Sequence, residues 1–233
     1  MAVSLQIKVN EKLYLRDPEQ TELGRKIIDS GIKLIEELGF ENFTFKKLAN
    51  AIGSTEASIY RYFENKHKLL IYLIAWYWSW VDYQIDYQTH NISDPVRKLQ
   101  ITIKVLSESA QYDPAFSHID EQALHQIVIS ESSKAYLTKN VDEDNRDGLF
   151  QGYKSLSKKV AEIISSVNPD FMYPRAIATT IIESAHQQIF FAEHLPGLTE
   201  LRVPNGDKRE IADFLSSLVF TFIGVSPNTT DTK

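Results

Sequence analysis

The chain of 233 residues contains no cysteine. That excludes disulfides, thiolate nucleophiles and Cys-built zinc sites, and makes a reducing compartment the simplest setting. Long apolar runs are missing too. The longest, Leu69 to Val81, is broken only by Ser79 and falls short of the about 20 residues a bilayer-spanning helix needs. The first residues, MAVSLQIKVNEKLYL, hold no apolar core for a signal peptide, so a cytoplasmic chain is expected. Phosphate-binding Gly loops, a dinucleotide fingerprint, HExxH and GxSxG are absent as well. No enzymatic activity and no cofactor are therefore expected.

Positive charge is in short supply, with 25 Lys and Arg against 31 Asp and Glu, a net of −6. The deficit is uneven. Residues 1–75 hold 11 basic against 10 acidic groups, and the remainder 14 against 21. Because charges act locally and are screened within about 8–10 Å, an acidic protein can still carry one face that tolerates a polyanion.

The hydrophobic pattern is helical almost throughout. Val3, Leu5, Ile7 and Val9, then Leu13 and Leu15, alternate with polar neighbours, and this period of two predicts a short N-terminal β-hairpin arm. Asp17-Pro18-Glu19 reads as a helix start. A first helix follows with Ile27, Gly31, Leu34, Ile35 and Leu38 on one face, stopped by Gly39. Thr44 caps a second helix that ends at Gly53, and Thr55 caps a third in which Ile59 and Phe63 are partners. A long fourth helix begins near Asn65-Lys66, and Asp94-Pro95 caps a fifth with Leu99, Ile103, Leu106 and Ala110 inward. Residues 115–139 and 149–167 read as helices around the charged break VDEDNRDG. Arg175 to His194 and Lys208 to Ile223 are two late helices. The fold class is all-α: a small N-terminal unit and a larger helical bundle joined by the fourth helix.

Residues 44–66 carry the chemistry. A helix-turn-helix needs two short helices crossing steeply, so that the second can enter a major groove while the first braces on phosphates. Gly53 suits the turn, Ala49 allows close approach, and Ile52, Ile59 and Phe63 form the shared core. Glu56, Ala57, Ser58, Tyr60, Arg61 and Tyr62 are then outward. Hydroxyls among them suit phosphates or base edges, and Arg61 suits a guanine. FTFKKLANAIGSTEASIYRYFENKHKLL, preceded by KIIDSGIKLIEELGFENFT, resembles the DNA-binding signature of TetR-like bacterial transcription regulators over about residues 24–75. That resemblance implies a three-helix DNA-binding domain, an all-α ligand-binding and dimerisation domain, and a homodimer on a palindromic operator. It assigns phosphate contacts to Tyr60 and Lys66 and places Thr44 beside the backbone. Ser58, Arg61, Tyr62, Glu56 and Ala57 fall at reading positions, with Lys46 and Thr55 beside them. Glu56 and Ser54-Thr55 depart from the family's common residues, which puts the operator sequence in doubt and not the fold.

Trp76, Trp80, Tyr83 and Tyr87 share a helical stripe that either packs as core or walls an effector pocket, with His125 and His186 as further polar lining. No tight His-x-x-x-His pair occurs, so no metal is expected. Ile182, Ala185 and Ile189 on one late helix, and Leu215, Leu218 and Phe222 on the next, suit a dimer interface, or packing within the subunit. The expected layout is an arm at 1–17, a DNA-binding domain at 18–68, a ligand-binding and dimerisation domain at 69–225 and a disordered tail at 226–233. The expected function is a ligand-responsive transcriptional repressor that binds double-stranded operator DNA as a homodimer, with an unidentified small-molecule effector. The alternative is a helical protein-interaction or small-molecule-binding module without operator binding.

Overall fold

The computed structural model describes residues 7–108, 116 and 118–226. Its helices are α1 (Glu22–Asn42), α2 (Phe45–Ala51), α3 (Glu56–Tyr60), α4 (Lys66–Thr89), α5 (Pro95–Ser107), α6 (Glu121–Glu131), α7 (Ser133–Tyr136), α8 (Val141–Arg146), α9 (Gln151–Val167), α10 (Pro174–His194) and α11 (Arg209–Ile223). The all-α expectation holds, and among the described residues no strand forms. None of these helices is long and apolar enough to cross a membrane. No group of three or more His, Cys, Asp or Glu side chains among the described residues could hold a metal ion.

The chain divides into two compact units, residues 1–79 with 110–152 and residues 80–109 with 153–233. In the first unit, α1 lies along α6 and α2 packs on α3. Ile27, Ile28, Ile32 and Ile35 of α1 are buried with Leu124, Ile127 and Val128 of α6. The first half of α4 is buried on every side from Leu69 to Trp78, so its aromatics do not form one stripe against one neighbour. Trp76 meets Phe116 edge-on at 5.4 Å, and Trp78 Nε1 donates to the Tyr136 hydroxyl at 2.8 Å. His125 is fully buried and its Nδ1 lies 2.6 Å from the Tyr77 hydroxyl.

Three sequence expectations are corrected here. Asp17 caps only the 3-10 turn Pro18–Gln20. Helix α1 starts later, where Thr21 Oγ1 accepts from Gly24 N at 2.9 Å. VDEDNRDG is no break: it forms α8, because Asp144 finds the Lys68 ammonium at 3.1 Å and can be buried. The described part of the arm, residues 7–17, is irregular and not a hairpin. Leu13 is buried, Leu15 N donates to Tyr62 O at 2.8 Å, and Lys12 pairs with Asp147 at 2.6 Å. Side chains and one backbone bond anchor it in place of a second strand. Residues 1–6, the Ala110 position and the tail from 227 lie outside the described residues.

In the second unit, α5, α10 and α11 pack on one another. Asp94 caps α5 by accepting from Val96 and Arg97 N. Lys159 of α9 reaches Asp82 at 3.0 Å and Asp86 at 2.6 Å on α4, and burial raises the Asp82 carboxyl above its ordinary value. Ile182, Ala185, Ile189 and Leu215, expected at a dimer interface, are fully buried within the chain. They fill the α5–α10–α11 core, which leaves Leu218 half-buried and Phe222 67% exposed. Of the expected pocket residues, Trp76, Trp80, His125 and His186 are buried and Tyr83 is half-buried. Tyr87 is 71% exposed, stacked beside Tyr83 at 6.1 Å, and lines no interior.

His186 on α10 gives a pH test of this core. Burial, with the Lys208 ammonium as the lesser cause, pushes its imidazole down from 6.5 to about 3. The folded chain therefore holds it neutral, while the unfolded chain protonates it below about 6.5. Its contribution to stability is complete above that pH and is lost progressively as pH falls toward 3, at about 1.4 kcal/mol per unit. Denaturant unfolding at pH 6.5 and 5.0 should show wild type losing about 2 kcal/mol more than His186→Gln; equal losses would contradict it.

Candidate nucleic-acid interface

The interface is assembled from a break in α1. Gly39 has φ +73° and ψ 152°, and the helical path resumes only as far as Asn42. The turn that follows exposes carbonyls with no helical donor. Lys66, at the start of α4, supplies the donors: its ammonium lies 2.9, 3.1 and 3.2 Å from the carbonyl oxygens of Phe40, Glu41 and Phe43. It also sits 4.7 Å over the Phe40 ring. All three of its N–H groups are thus engaged within the chain. Lys66 holds the segment that leads into α2.

Thr44 begins α2, its Oγ1 accepting from Lys47 N at 3.2 Å. The helix ends in a Schellman turn: Gly53 takes φ +65°, its N donates to Asn50 O at 3.3 Å, and Ser54 N reaches back to Ala49 O at 2.9 Å. Glycine carries no Cβ penalty in that left-handed conformation. Thr55 then starts α3, its Oγ1 accepting from Ser58 N at 3.3 Å. Both short helices begin at a Thr hydroxyl, and the turn between them is closed by its own backbone. Leu48, Ala49, Ile59 and Phe63 are buried beneath it. The Phe45 ring meets Tyr60 edge-on at 5.0 Å and braces it at the surface.

Thr44, Lys46, Thr55, Glu56, Ala57, Tyr60 and Arg61 are exposed, and Ser58 is half-buried. Eight of the ten expected DNA-facing residues therefore come together on or beside one accessible α2–turn–α3 segment. Tyr62 does not join them. It is only 2% exposed, and its hydroxyl pairs with Thr21 Oγ1 at 2.7 Å. The carbonyl of Ile59 accepts from its N–H at 2.8 Å as α3 closes, and the side chain turns to the α1 start. Glu56 sits in the first turn of α3, where the helix dipole favours an acid by about 0.3–1 kcal/mol.

Two basic groups add to the expected set. Lys47 is exposed beside Lys46, its ammonium 2.8 Å from Asn42 O. With Phe45, Leu48 and Ala49 inward, the pattern FKKLA already placed both lysines outward. Arg16 is exposed and lies 5.5 Å over the Tyr62 ring. No local sequence signal reveals that contact, because it depends on Leu15 bonding to Tyr62 O. The segment thus offers Lys46, Lys47, Arg61 and Arg16 for phosphates, with Ser58, Tyr60 and Arg61 as hydrogen-bonding groups for phosphates or base edges.

Residues 27–73 match the family described as "Bacterial regulatory proteins, tetR family". No curated protein sequence matches the chain. Among solved structures, a bacterial regulatory protein of the tetR family from Rhodococcus RHA1 is similar at 16% identity and a TM-score of 0.63, covering 88% of this chain and 99% of that one. AibR, solved with isovaleryl coenzyme A and operator DNA, is similar at 17% identity and a TM-score of 0.58, covering 88% and 100%. The superantigen PfiT is similar at 12% identity and a TM-score of 0.59, covering 88% and 97%. Likeness at these identities establishes the fold, and the different roles of the three show that the fold does not fix the function. Residues 27–73 thus match the model of the tetR family of bacterial regulatory proteins, and the chain shares the fold of these solved structures.

Proposed function

We propose that the protein is a transcriptional repressor that binds palindromic DNA as a homodimer and is released by a small molecule. The observation that carries this reading is the accessible α2–turn–α3 segment, where Lys46, Lys47, Tyr60 and Arg61 surround a capped, well-packed turn. AibR, with the same fold, was solved in complex with isovaleryl coenzyme A and operator DNA, which supports a chain that binds both DNA and a small molecule. Residues 18–68 are the DNA-binding domain and 69–225 the effector and dimerisation domain in this scheme.

Of the expected interface residues, Leu218 and Phe222 of α11 serve dimerisation, joined by Phe214. Phe214, Leu218 and Phe222 recur every four residues, with Phe214 and Phe222 exposed. A two-fold dimer through such a stripe would match the symmetry of a palindromic operator. PfiT, whose name gives a role outside transcription, supports a second reading: a helical interaction module without operator binding.

Selection from random duplex DNA with the purified protein separates the two. A palindromic consensus supports the repressor, and no enrichment supports the interaction module. On the selected duplex, Arg61→Ala should weaken binding by about 1–3 kcal/mol and relax base preference, whereas Lys46→Ala should weaken all sequences and lower the salt slope by about 1. Tyr62→Phe should cost about 1 kcal/mol of stability in denaturant unfolding while leaving the salt slope unchanged. Phe222→Asp should shift the protein to monomer in sedimentation at micromolar concentration. A dimer that survives that change would remove α11 from the interface.

A further inference from the structure

The segment 40–43, which Lys66 grips by its carbonyls, is gripped on its N–H side by a residue far along the chain. Gly39 breaks the helix, and Phe40 N donates instead to Glu131 Oε1 at 3.0 Å. Glu131 is the last residue of α6 and is 7% exposed. Its Oε2 lies 2.6 Å from the Lys134 ammonium, which is also 3.2 Å from Glu41 Oε1. That pairing, chiefly the hydrogen bond the ammonium donates to Glu131, raises the Lys134 amine above its ordinary value. A buried carboxylate is costly unless paired and hydrogen-bonded, and this one is satisfied by one backbone N–H and one ammonium.

We propose that Glu131 is a positioning residue through which α6 sets the orientation of α2 and α3. The link it holds ends at Thr44, the N-cap of α2, so no slack separates the bonded amide from the DNA-binding segment. Lys66 fixes the carbonyl side from α4, and Glu131 fixes the amide side from α6. The direction of the link is therefore defined by two elements rather than one. The proposal rests on the DNA-binding reading.

Two substitutions separate reach from charge. Glu131→Gln keeps an acceptor at the same distance and loses the negative charge; Glu131→Asp keeps the charge and withdraws it by one methylene. Affinity for the selected duplex, its salt slope and the amide exchange of residues 40–43 are measured for both. Losing a charge-assisted bond of this kind corresponds to about tenfold. Glu131→Asp should exchange faster at Phe40 and bind the selected duplex about tenfold more weakly. Its salt slope and non-specific binding should be unchanged, since no phosphate contact is lost. Glu131→Gln should stay within about threefold of wild type, because its acceptor is retained. Faster exchange at Phe40 with unchanged affinity overturns the coupling, as does the reverse order of the two variants. Absence of any selected duplex for wild type overturns the DNA reading and this proposal with it.

Discussion

Everything at the α2–turn–α3 end depends on how the chain leaves α1. A helix that breaks at Gly39 sheds backbone groups that no longer have helical partners. Burying them unpaired would cost more than the bend could return. A single ammonium, Lys66, answers three carbonyls, and a single carboxylate, Glu131, answers the adjacent amide. Both groups are charged and both are spent on backbone rather than on solvent or ligand. Hydrogen bonds to charged groups contribute about 1.5–3 kcal/mol each, so this short link is among the more firmly defined parts of its unit. Rigidity there is what a reading helix requires, because α3 spans only Glu56–Tyr60 and cannot orient itself.

The same economy explains how an acidic protein presents a face to a polyanion. Many of its acids are committed internally. Asp144 and Asp147 pair with Lys68 and Lys12, Glu131 with Lys134, and Asp82 and Asp86 with Lys159. Lys46 and Arg61 stay exposed around α2 and α3. Over a Debye length of about 8 Å, that local balance matters more than the total of −6. Glu56 is the exception on the face. Its position at the α3 start is favourable for the helix and would repel a phosphate.

Features governed by near neighbours were legible in the sequence. Thr44, Gly53, Thr55 and Asp94 act where capping and turn chemistry place them, and α10 and α11 begin within one residue of the expected positions. What was not legible depends on groups distant in the chain. Tyr62 is drawn inward by Thr21, 41 residues away. The carbonyls that occupy Lys66 lie 23 to 26 residues upstream. VDEDNRDG becomes a helix because Lys68 neutralises Asp144 across 76 residues. On α11 apolar residues line both the inward stripe of Ile211, Leu215 and Val219 and the outward one of Phe214, Leu218 and Phe222. Periodicity alone could not say which of the two met the rest of the chain.

In the proposed function, the α2–turn–α3 segment binds DNA by local positive charge and a fixed orientation. Equilibrium binding of the intact protein to a selected duplex over a range of salt concentrations tests it most directly. Log K should fall linearly with log salt, with a slope that corresponds to several neutralised phosphates, and the selected duplex should be favoured over scrambled DNA throughout. Affinity that ignores salt, or that is equal for selected and scrambled duplexes, would contradict it.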